Sequence, residues 1–258
     1  DIAAIGGLDT DHLKAFDPMA MGGFQPEHMN EFDPTMMTAF DKDRVQHFDP
    51  MAMMGFGMQH MQNFDPSAMG GFKPEHVGNL APTAIDGLSM DHLKAFDPMA
   101  MGGFKANHMA EFDPTMMTAF DADRVKHFDP MAMMGFGMEH MQNFDPTAMA
   151  GFGAEHMKHM DPTAIGGLSM DHMAAFDPMA MGGFKADHMA EFDPTMMTAF
   201  DADRVQHFDP MAMMGFGMEH MKNFEPTAMG GFEADHVKHM DPTAIGGLGM
   251  DHLMAFAS

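Results

Sequence analysis

The residues best suited to chemistry in this chain are histidines that recur every sixteen residues. They stand at thirteen places, and the chain also holds 41 methionines. Imidazole nitrogens bind Zn and Cu, and the thioether sulfur of methionine favours Cu(I). One hypothesis is therefore a metal-binding ladder for Cu or Zn. Its candidate ligands are His12, His28, His60, His76, His92, His108, His140, His156, His172, His188, His220, His236 and His252.

The same histidines also admit a structural interpretation. Each imidazole would donate a hydrogen bond to a neighbouring repeat and pack against the phenylalanine four residues later. Arginine stands in the histidine position at Arg44, Arg124 and Arg204, and a guanidinium donates hydrogen bonds but does not bind a metal cation. Helices stacked about 8–10 Å apart would also hold successive imidazoles too far apart to share one ion. The sequence favours the structural role and keeps metal binding as the alternative.

Each histidine occupies a fixed place in a sixteen-residue phrase such as residues 96–111, FDPMAMGGFKANHMAE. The phrase consists of two octads, and each octad begins with phenylalanine or another apolar residue. Residues 96–143 and 176–223 differ at only three positions, so five phrases form an 80-residue block. The sequence therefore predicts a single repeat array over 1–258. It comprises a partial block 1–15, the blocks 16–95, 96–175 and 176–255, and a partial block 256–258.

Both octads carry helix signals. Asp97-Pro98 is a typical helix start, because the aspartate accepts from free backbone N–H groups and proline suits the first helical position. Gly102-Gly103 predicts an exit through a left-handed conformation, and asparagines such as Asn79 are expected to end the second helix in the same way. A strand would need apolar residues at every second position, and the Asp-Pro and Gly-Gly pairs would disrupt its ladder.

The predicted fold is therefore all-α, a solenoid of short helices with two helices in each sixteen-residue coil and about sixteen coils. A β-solenoid is the alternative. Position six of each octad and the following position one share a helical face and should form the core. The methionines Met58, Met138 and Met218 should be exposed. The predicted core includes Phe16, Phe24, Phe96, Phe104, Phe176, Phe184, Met101 and Met109.

Composition limits the possible functions. The net charge of −25 argues against nucleic-acid partners, since polyanion binding needs a basic surface. No apolar run reaches the length of about 18 residues that a membrane span requires. Cysteine is absent, neither a calcium-binding loop nor a catalytic motif stands out, and a uniform array offers no unique cleft. We expect no enzyme activity, no resident cofactor and no calcium site.

The octads FQPEHMNE, residues 24–31, and FKPEHVGN, residues 72–79, resemble the short tandem repeats of large bacterial surface or secreted proteins. The resemblance implies an extracellular or cell-surface location. With the open-ended array, it leads us to expect an elongated, non-enzymatic protein that acts as a structural spacer, a surface fibre or a filament subunit. Self-association would be end to end or lateral, because repeats that join internally can also join between molecules. Metal sequestration is the alternative function.

Overall fold

The computed structural model of the chain describes the backbone of residues 2–256 and the side chains of residues 4–256. Short helices make up the regular structure of this range, which contains no strand. The residues fall into two compact units, one ending at Gly135 and the other beginning at Phe136. The all-α solenoid prediction is confirmed, and the β-solenoid alternative is wrong for the described residues.

The two octads of each phrase form different helices. First octads form 3₁₀-helices, except for the last one, which is α-helical, and second octads form α-helices. The 3₁₀-helices are η1 Ile2–Gly7, η2 Pro18–Gly23, η3 Pro34–Ala39, η4 Pro50–Gly55, η5 Pro66–Gly71, η6 Pro82–Gly87, η7 Pro98–Gly103, η8 Pro114–Ala119, η9 Pro130–Gly135, η10 Pro146–Gly151, η11 Pro162–Gly167, η12 Pro178–Gly183, η13 Pro194–Ala199, η14 Pro210–Gly215 and η15 Pro226–Gly231. The α-helices are α1 Thr10–Ala15, α2 Pro26–Asn30, α3 Lys42–Val45, α4 Met58–Asn63, α5 Pro74–Gly78, α6 Met90–Ala95, α7 Ala106–Met109, α8 Ala122–Val125, α9 Met138–Asn143, α10 Ala154–His159, α11 Met170–Ala175, α12 Ala186–Glu191, α13 Ala202–Val205, α14 Met218–Asn223, α15 Ala234–His239, α16 Pro242–Ile245 and α17 Met250–Ala255.

The Asp-Pro pair starts the 3₁₀-helices as predicted. The Asp97 carboxylate accepts from the backbone N–H of Met99 at 2.9 Å, and Pro98 occupies the first helical position. The backbone N–H of Ala100 donates to the Asp97 carbonyl at 2.9 Å, three residues back. This three-residue spacing continues to the end of the helix, where the N–H of Phe104 donates to the carbonyl of Met101 at 3.2 Å.

The predicted left-handed exits are wrong, because no residue of the described chain has a positive φ. Glycine is instead required where one backbone approaches another. A Cβ on Gly103 would lie 2.1 Å from the carbonyl oxygen of Pro74, and one on Gly231 would lie 2.2 Å from that of Ala202. A real Cβ cannot come so close, so the last glycine of η7 and of η15 permits close packing against an α-helix residue 29 positions earlier, whereas Gly7 and Gly23, near the start of the chain, meet no atom within 4 Å.

The asparagines that end α-helices also act differently from the prediction. The side-chain amide of Asn79 donates to the carbonyl of Glu75 at 2.8 Å, and Asn143 donates to Glu139 in the same way at 2.8 Å. Each bond satisfies a carbonyl near a helix end, where backbone acceptors lack a partner within the helix. Asparagine therefore closes the α-helix through its side chain.

Packing joins octads that lie three apart in sequence. Helix α4 packs between η3 and η6, and α2 packs against η4. The rings of Phe40 and Phe64, 24 residues apart, lie with centroids 6.3 Å apart, and those of Phe72 and Phe96 lie 5.7 Å apart. Within each unit, a solenoid turn therefore contains three octads, whereas the coil predicted from the sequence contained the two octads of the sixteen-residue phrase. As a consequence, 3₁₀- and α-helices alternate in each stack.

Phenylalanines and methionines form a continuous core in each unit. Consecutive rings meet edge to face, as with Phe104 and Phe112 at 5.4 Å, a favourable aromatic geometry. Phe16 departs from the prediction: it is 39% exposed, because it lies in the first turn and no earlier turn covers it. Phe24, in the same turn, is half-buried. The structure buries the other expected core residues, Phe96, Phe104, Phe176, Phe184, Met101 and Met109, to 2% exposure or less.

One 3₁₀-helix in each block ends in alanine. Ala199 carries a Cβ at the place where most 3₁₀-helices have glycine, and η13 packs less closely against α11 than η12 does against α10. Met196 replaces the alanine of most other 3₁₀-helices and fills the wider gap, where it is 9% exposed. Thr198 also donates to the Met170 sulfur across this gap at 3.7 Å. The substitutions compensate one another within the repeat.

The glycine contact predicts a sharp difference between two adjacent positions. Gly231→Ala should lower the free energy of unfolding by about 1–3 kcal/mol, because the new methyl group overlaps the carbonyl of Ala202. A Cβ on Gly230 meets no atom within 4 Å, so Gly230→Ala should be neutral or stabilising by up to about 1 kcal/mol. Chemical denaturation followed by far-ultraviolet circular dichroism measures both, and equal costs would contradict the packing role.

Candidate functional site

Each ladder histidine caps its own α-helix. His76 lies at the third helical position of α5, and its Nδ1 accepts a hydrogen bond from the backbone N–H of Lys73 at 2.9 Å. His108 accepts from the N–H of Lys105 at 3.0 Å. Glutamate or glutamine usually makes this contact in a capping box. The sequence therefore contained a capping-box pattern, in which the histidine imidazole takes the place of the glutamate carboxylate or the glutamine amide.

The other ring nitrogen connects neighbouring turns. His76 Nε2 lies 2.9 Å from the carbonyl oxygen of Phe48, and His188 Nε2 lies 2.8 Å from that of Met160. Because Nδ1 accepts a hydrogen bond from the backbone N–H, the ring proton belongs on Nε2, which donates to the carbonyl. Both nitrogens are engaged in this way in His60, His76, His92, His108, His172, His188, His220, His236 and His252.

Burial favours the neutral imidazole that both bonds require. His76 and His108 are each 1% exposed. Burial lowers the pKa of His76, although the bond to the Phe48 carbonyl raises it and the charge of Lys73 lowers it further. Burial also lowers the pKa of His108 against the opposing effect of the Leu80 carbonyl. A protonated ring would direct a second N–H at the backbone N–H that Nδ1 now accepts from.

Nine ladder imidazoles pack against a phenylalanine, but not the one expected. The ring of His108 meets that of Phe104 edge to face, with centroids 6.2 Å apart and planes at 81°. The ring of His76 meets Phe72 at 6.2 Å and 86°. The partner therefore lies four residues before the histidine and not four residues after it. Phenylalanine at position one thus joins the core and also orients the imidazole of its own octad.

Of the remaining ladder histidines, His12 and His28 lie near the start of the chain, His140 is half-buried and His156 is buried. His12 is exposed and bonds with Asp9, whose carboxylate accepts from the His12 N–H at 2.8 Å. His28 is half-buried and accepts from the N–H of Gln25 at 2.9 Å. His140 and His156 accept cap bonds from backbone N–H groups at 3.1 and 3.0 Å. The capping contact is therefore common to the whole ladder.

Arginine takes the histidine position in one α-helix of each full block and also connects to the preceding turn. Arg204 Nη2 donates to the Ala174 carbonyl at 2.7 Å and lies 3.4 Å from that of Phe176, the residue that corresponds to a histidine acceptor. Its Nη1 donates to the Asp201 carboxylate at 2.9 Å. Arginine therefore performs the structural task of histidine, with a charge that does not titrate.

The geometry does not gather the histidines into a metal centre. In residues 2–256, no group of three or more His, Asp or Glu side chains is placed to hold an ion. Binding at nine of the ladder positions would first break a cap bond or an inter-turn bond. Met58, Met138 and Met218 are exposed as expected, at 44, 50 and 48%.

The concave features of the surface repeat with the blocks. A groove of about 550 Å³ lies in the first unit, where Gly103, Phe104 and Lys105 meet Met131 and Met134. Equivalent residues 80 positions later line a groove of about 280 Å³ in the second unit. Both are open and shallow, and they follow from the repeat itself.

Fold and ladder together define the class of the protein, a structural tandem-repeat protein built as a helical solenoid. No protein-family model matches the chain, and a search of curated proteins finds no similar sequence. Among the helices that the structure describes, none has the length and apolar character needed to cross a membrane.

The contribution of the inter-turn bond to stability can be measured by comparing two ladder histidines, one with this bond and one whose bonds are local. His188→Ala should lower the free energy of unfolding by at least about 2 kcal/mol, because the Met160 carbonyl loses its partner in a buried place, the Lys185 N–H loses its cap and a buried ring is removed. His12→Ala removes an exposed histidine with local bonds to Asp9 and should cost less than about 1 kcal/mol. Urea denaturation gives both values, and similar losses would show that the inter-turn bond contributes nothing.

The histidine pKa values predict acid sensitivity. Because the folded-state pKa of His76 and of His108 lies below the ordinary value of 6.5, the unfolded chain binds protons first as the pH falls. Their stabilisation should be fully present above about pH 6.5 and decline below it. Asp65, whose pKa is lowered chiefly by the Ser67 hydroxyl, titrates at lower pH.

The test compares denaturation midpoints at pH 7.5 and pH 5 for the parent and for His76→Gln with His108→Gln. Glutamine can cap the helix and donate a hydrogen bond without titrating, so the double variant should lose less stability on acidification. His12→Gln serves as the control and should retain the pH dependence of the parent. A double variant with the same pH dependence as the parent would refute the assignment.

Proposed function

We propose that this chain is a non-enzymatic structural repeat protein that serves as a spacer, a surface fibre or a filament subunit. The inter-turn histidine bond and the glycine contact recur in the same register through each unit. Every turn is thereby held by its immediate neighbours, which is how a solenoid gains length without a new fold. The proposal includes no cofactor and no catalytic residue.

The last turn supplies the observation that carries the filament proposal. Val237, Ile245 and Leu253 are 40, 43 and 49% exposed. Their equivalents in the first unit, at the same places in the block, are covered by a following turn and are 0–1% exposed: Val77, Ile85 and Leu93. The last turn therefore presents the apolar surface on which a further turn packs.

The first turn offers a complementary surface. Leu8, Phe16 and Phe24 line an apolar opening of about 380 Å³, together with Ile5. We infer that the last turn of one molecule packs on the first turn of another, with the repeat register guiding the contact. An association of two different surfaces continues from copy to copy when its rotation does not close a ring. End-to-end assembly follows from the interactions that already join turns within each unit.

The proposed location is extracellular or at the cell surface. Its support is the resemblance of octads such as residues 72–79 to the short repeats of bacterial surface or secreted proteins. The net charge of −25 supports partners other than nucleic acid, since an acidic surface repels phosphates. A second copy of the chain is the partner that the exposed apolar ends favour.

A three-residue variant tests the assembly. Val237→Glu, Ile245→Glu and Leu253→Glu place charges on the last turn, and end-to-end association should weaken at least about tenfold because the carboxylates would be buried without partners. Sedimentation velocity over a concentration series and negative-stain electron microscopy give the readout. The parent should form progressively longer particles.

The control adds the same charge elsewhere, through Met99→Glu, Met131→Glu and Met179→Glu at positions that are 65, 50 and 70% exposed. This control should assemble like the parent. Dispersed single molecules of the parent at every concentration would overturn the filament proposal. Loss of assembly in the control alone would show that the molecules associate through the lateral surface and not through their ends.

A further inference from the structure

Two sets of methionines differ sharply in their exposure. Those at position six of the octads, such as Met101 and Met181, are 0% exposed and pack in the core. A second set, here called the surface methionines, is at least 40% exposed. It consists of Met19, Met51, Met54, Met58, Met99, Met131, Met134, Met138, Met170, Met179, Met211, Met214, Met218, Met250 and Met254.

Several surface methionines occupy a slot for which the chain also uses threonine. At the second position of η8, the Thr115 hydroxyl donates to the Asp113 carboxylate at 2.6 Å, and Thr147 does the same with Asp145 in η10. Met99 takes this slot in η7, where only the backbone N–H bonds with the cap aspartate. Methionine there forfeits a hydrogen bond and buries little apolar surface. Neither packing nor capping accounts for it.

Methionine takes this slot in two of the five first octads of every full block, namely Met19, Met51, Met99, Met131, Met179 and Met211. In three of these helices a second surface methionine follows three residues later, as Met134 follows Met131. Side chains three residues apart eclipse in a 3₁₀-helix, so the two thioethers lie on the same side of the helix. The surface methionines are therefore a regular feature of each block.

What thioethers add to a surface is reactivity toward two-electron oxidants. The chain has no cysteine, tryptophan or tyrosine, which leaves methionine as its main oxidisable side chain. The sulfur lone pair attacks one oxygen of hydrogen peroxide, the O–O bond breaks, and the second oxygen leaves as water. Sulfur is oxidised to the sulfoxide and the peroxide is reduced. The step requires no group other than the oxidant and the side chain.

We propose that the surface methionines form a peroxide-consuming surface that the fold keeps separate from its core. A sulfoxide on an exposed side chain adds a polar group that water solvates, so the helices retain their contacts. A sulfoxide at position six would place that group in the apolar core and disrupt it, but close packing shields Met101 and its equivalents. The protein thus takes up oxidant stoichiometrically while it remains folded. This inference does not depend on end-to-end assembly.

The first experiment treats the full chain with hydrogen peroxide and follows each methionine by peptide mass spectrometry. The surface methionines should gain one oxygen each, at least about tenfold faster than the position-six methionines, with an unchanged circular dichroism spectrum. Free methionine provides the reference rate, which the surface set should match within about threefold. Oxidation at one rate throughout the chain, or unfolding during the fast phase, would overturn the proposal.

The matched variant replaces the six slot methionines by threonine, as Met19→Thr, Met51→Thr, Met99→Thr, Met131→Thr, Met179→Thr and Met211→Thr. Threonine fits this slot elsewhere in the chain, so the variant should fold with at least the parent's thermal midpoint. Six of the fifteen surface methionines are lost, and the peroxide consumed in the fast phase should fall by about two fifths. A core variant, Met101→Leu with Met181→Leu, should consume as much as the parent.

A bystander assay addresses protection directly. A short methionine-containing peptide is mixed with limiting peroxide and either the parent or the six-threonine variant. The parent should leave more of the peptide unoxidised than the variant does, in proportion to the surface methionines present. Equal protection by the two proteins, or none by the parent, would refute a peroxide-consuming role.

Discussion

The fold depends on the close approach of successive turns, and a histidine ring helps to maintain it in at least nine of the described α-helices. In α5, Nδ1 of His76 accepts from the start of its own helix while Nε2 donates to a carbonyl of the preceding turn, so local capping and long-range packing share one side chain. Glycine permits the close approach on the other side of the same helix, where a Cβ on Gly103 of η7 would lie 2.1 Å from the Pro74 carbonyl oxygen. Histidine and glycine thus join α5 to the turns before and after it, and the neutral ring is the form that makes both hydrogen bonds.

The repeat that departs from this pattern supports the same account. Ala199 stands where glycine is usual, and η13 packs less closely against α11 than η12 does against α10. Met196 replaces alanine in the same 3₁₀-helix and is 9% exposed, and Arg204 in the next octad donates to the Ala174 carbonyl of α11. The three substitutions recur together in every full block.

Because the ladder histidines already bond with the backbone, few of their ring nitrogens are available for other chemistry. At nine ladder positions both ring nitrogens are committed to the backbone, and the grooves between turns recur with the block and are open and shallow. Two kinds of side chain remain exposed at the surface. The apolar side chains of the last turn support the assembly proposal, and the thioethers of the 3₁₀-helices differ in exposure from the buried methionines. Both proposed functions therefore depend on exposed side chains of the repeats and not on a single cleft.

Features that depend on neighbouring residues followed from the sequence alone. Asp-Pro fixed the start of most 3₁₀-helices, the octad frame fixed their apolar face, and the exposure of Met58 followed from that frame. The number of octads in a turn was decided only in three dimensions, because it depends on the angles between helices and not on the period of the sequence. The same holds for glycine and histidine: conformation at Gly103 and metal binding at His76 were reasonable local interpretations, but their roles are set by the Pro74 and Phe48 carbonyls of other turns. A sequence pattern shows that such residues recur, and only the tertiary structure shows which backbone they face.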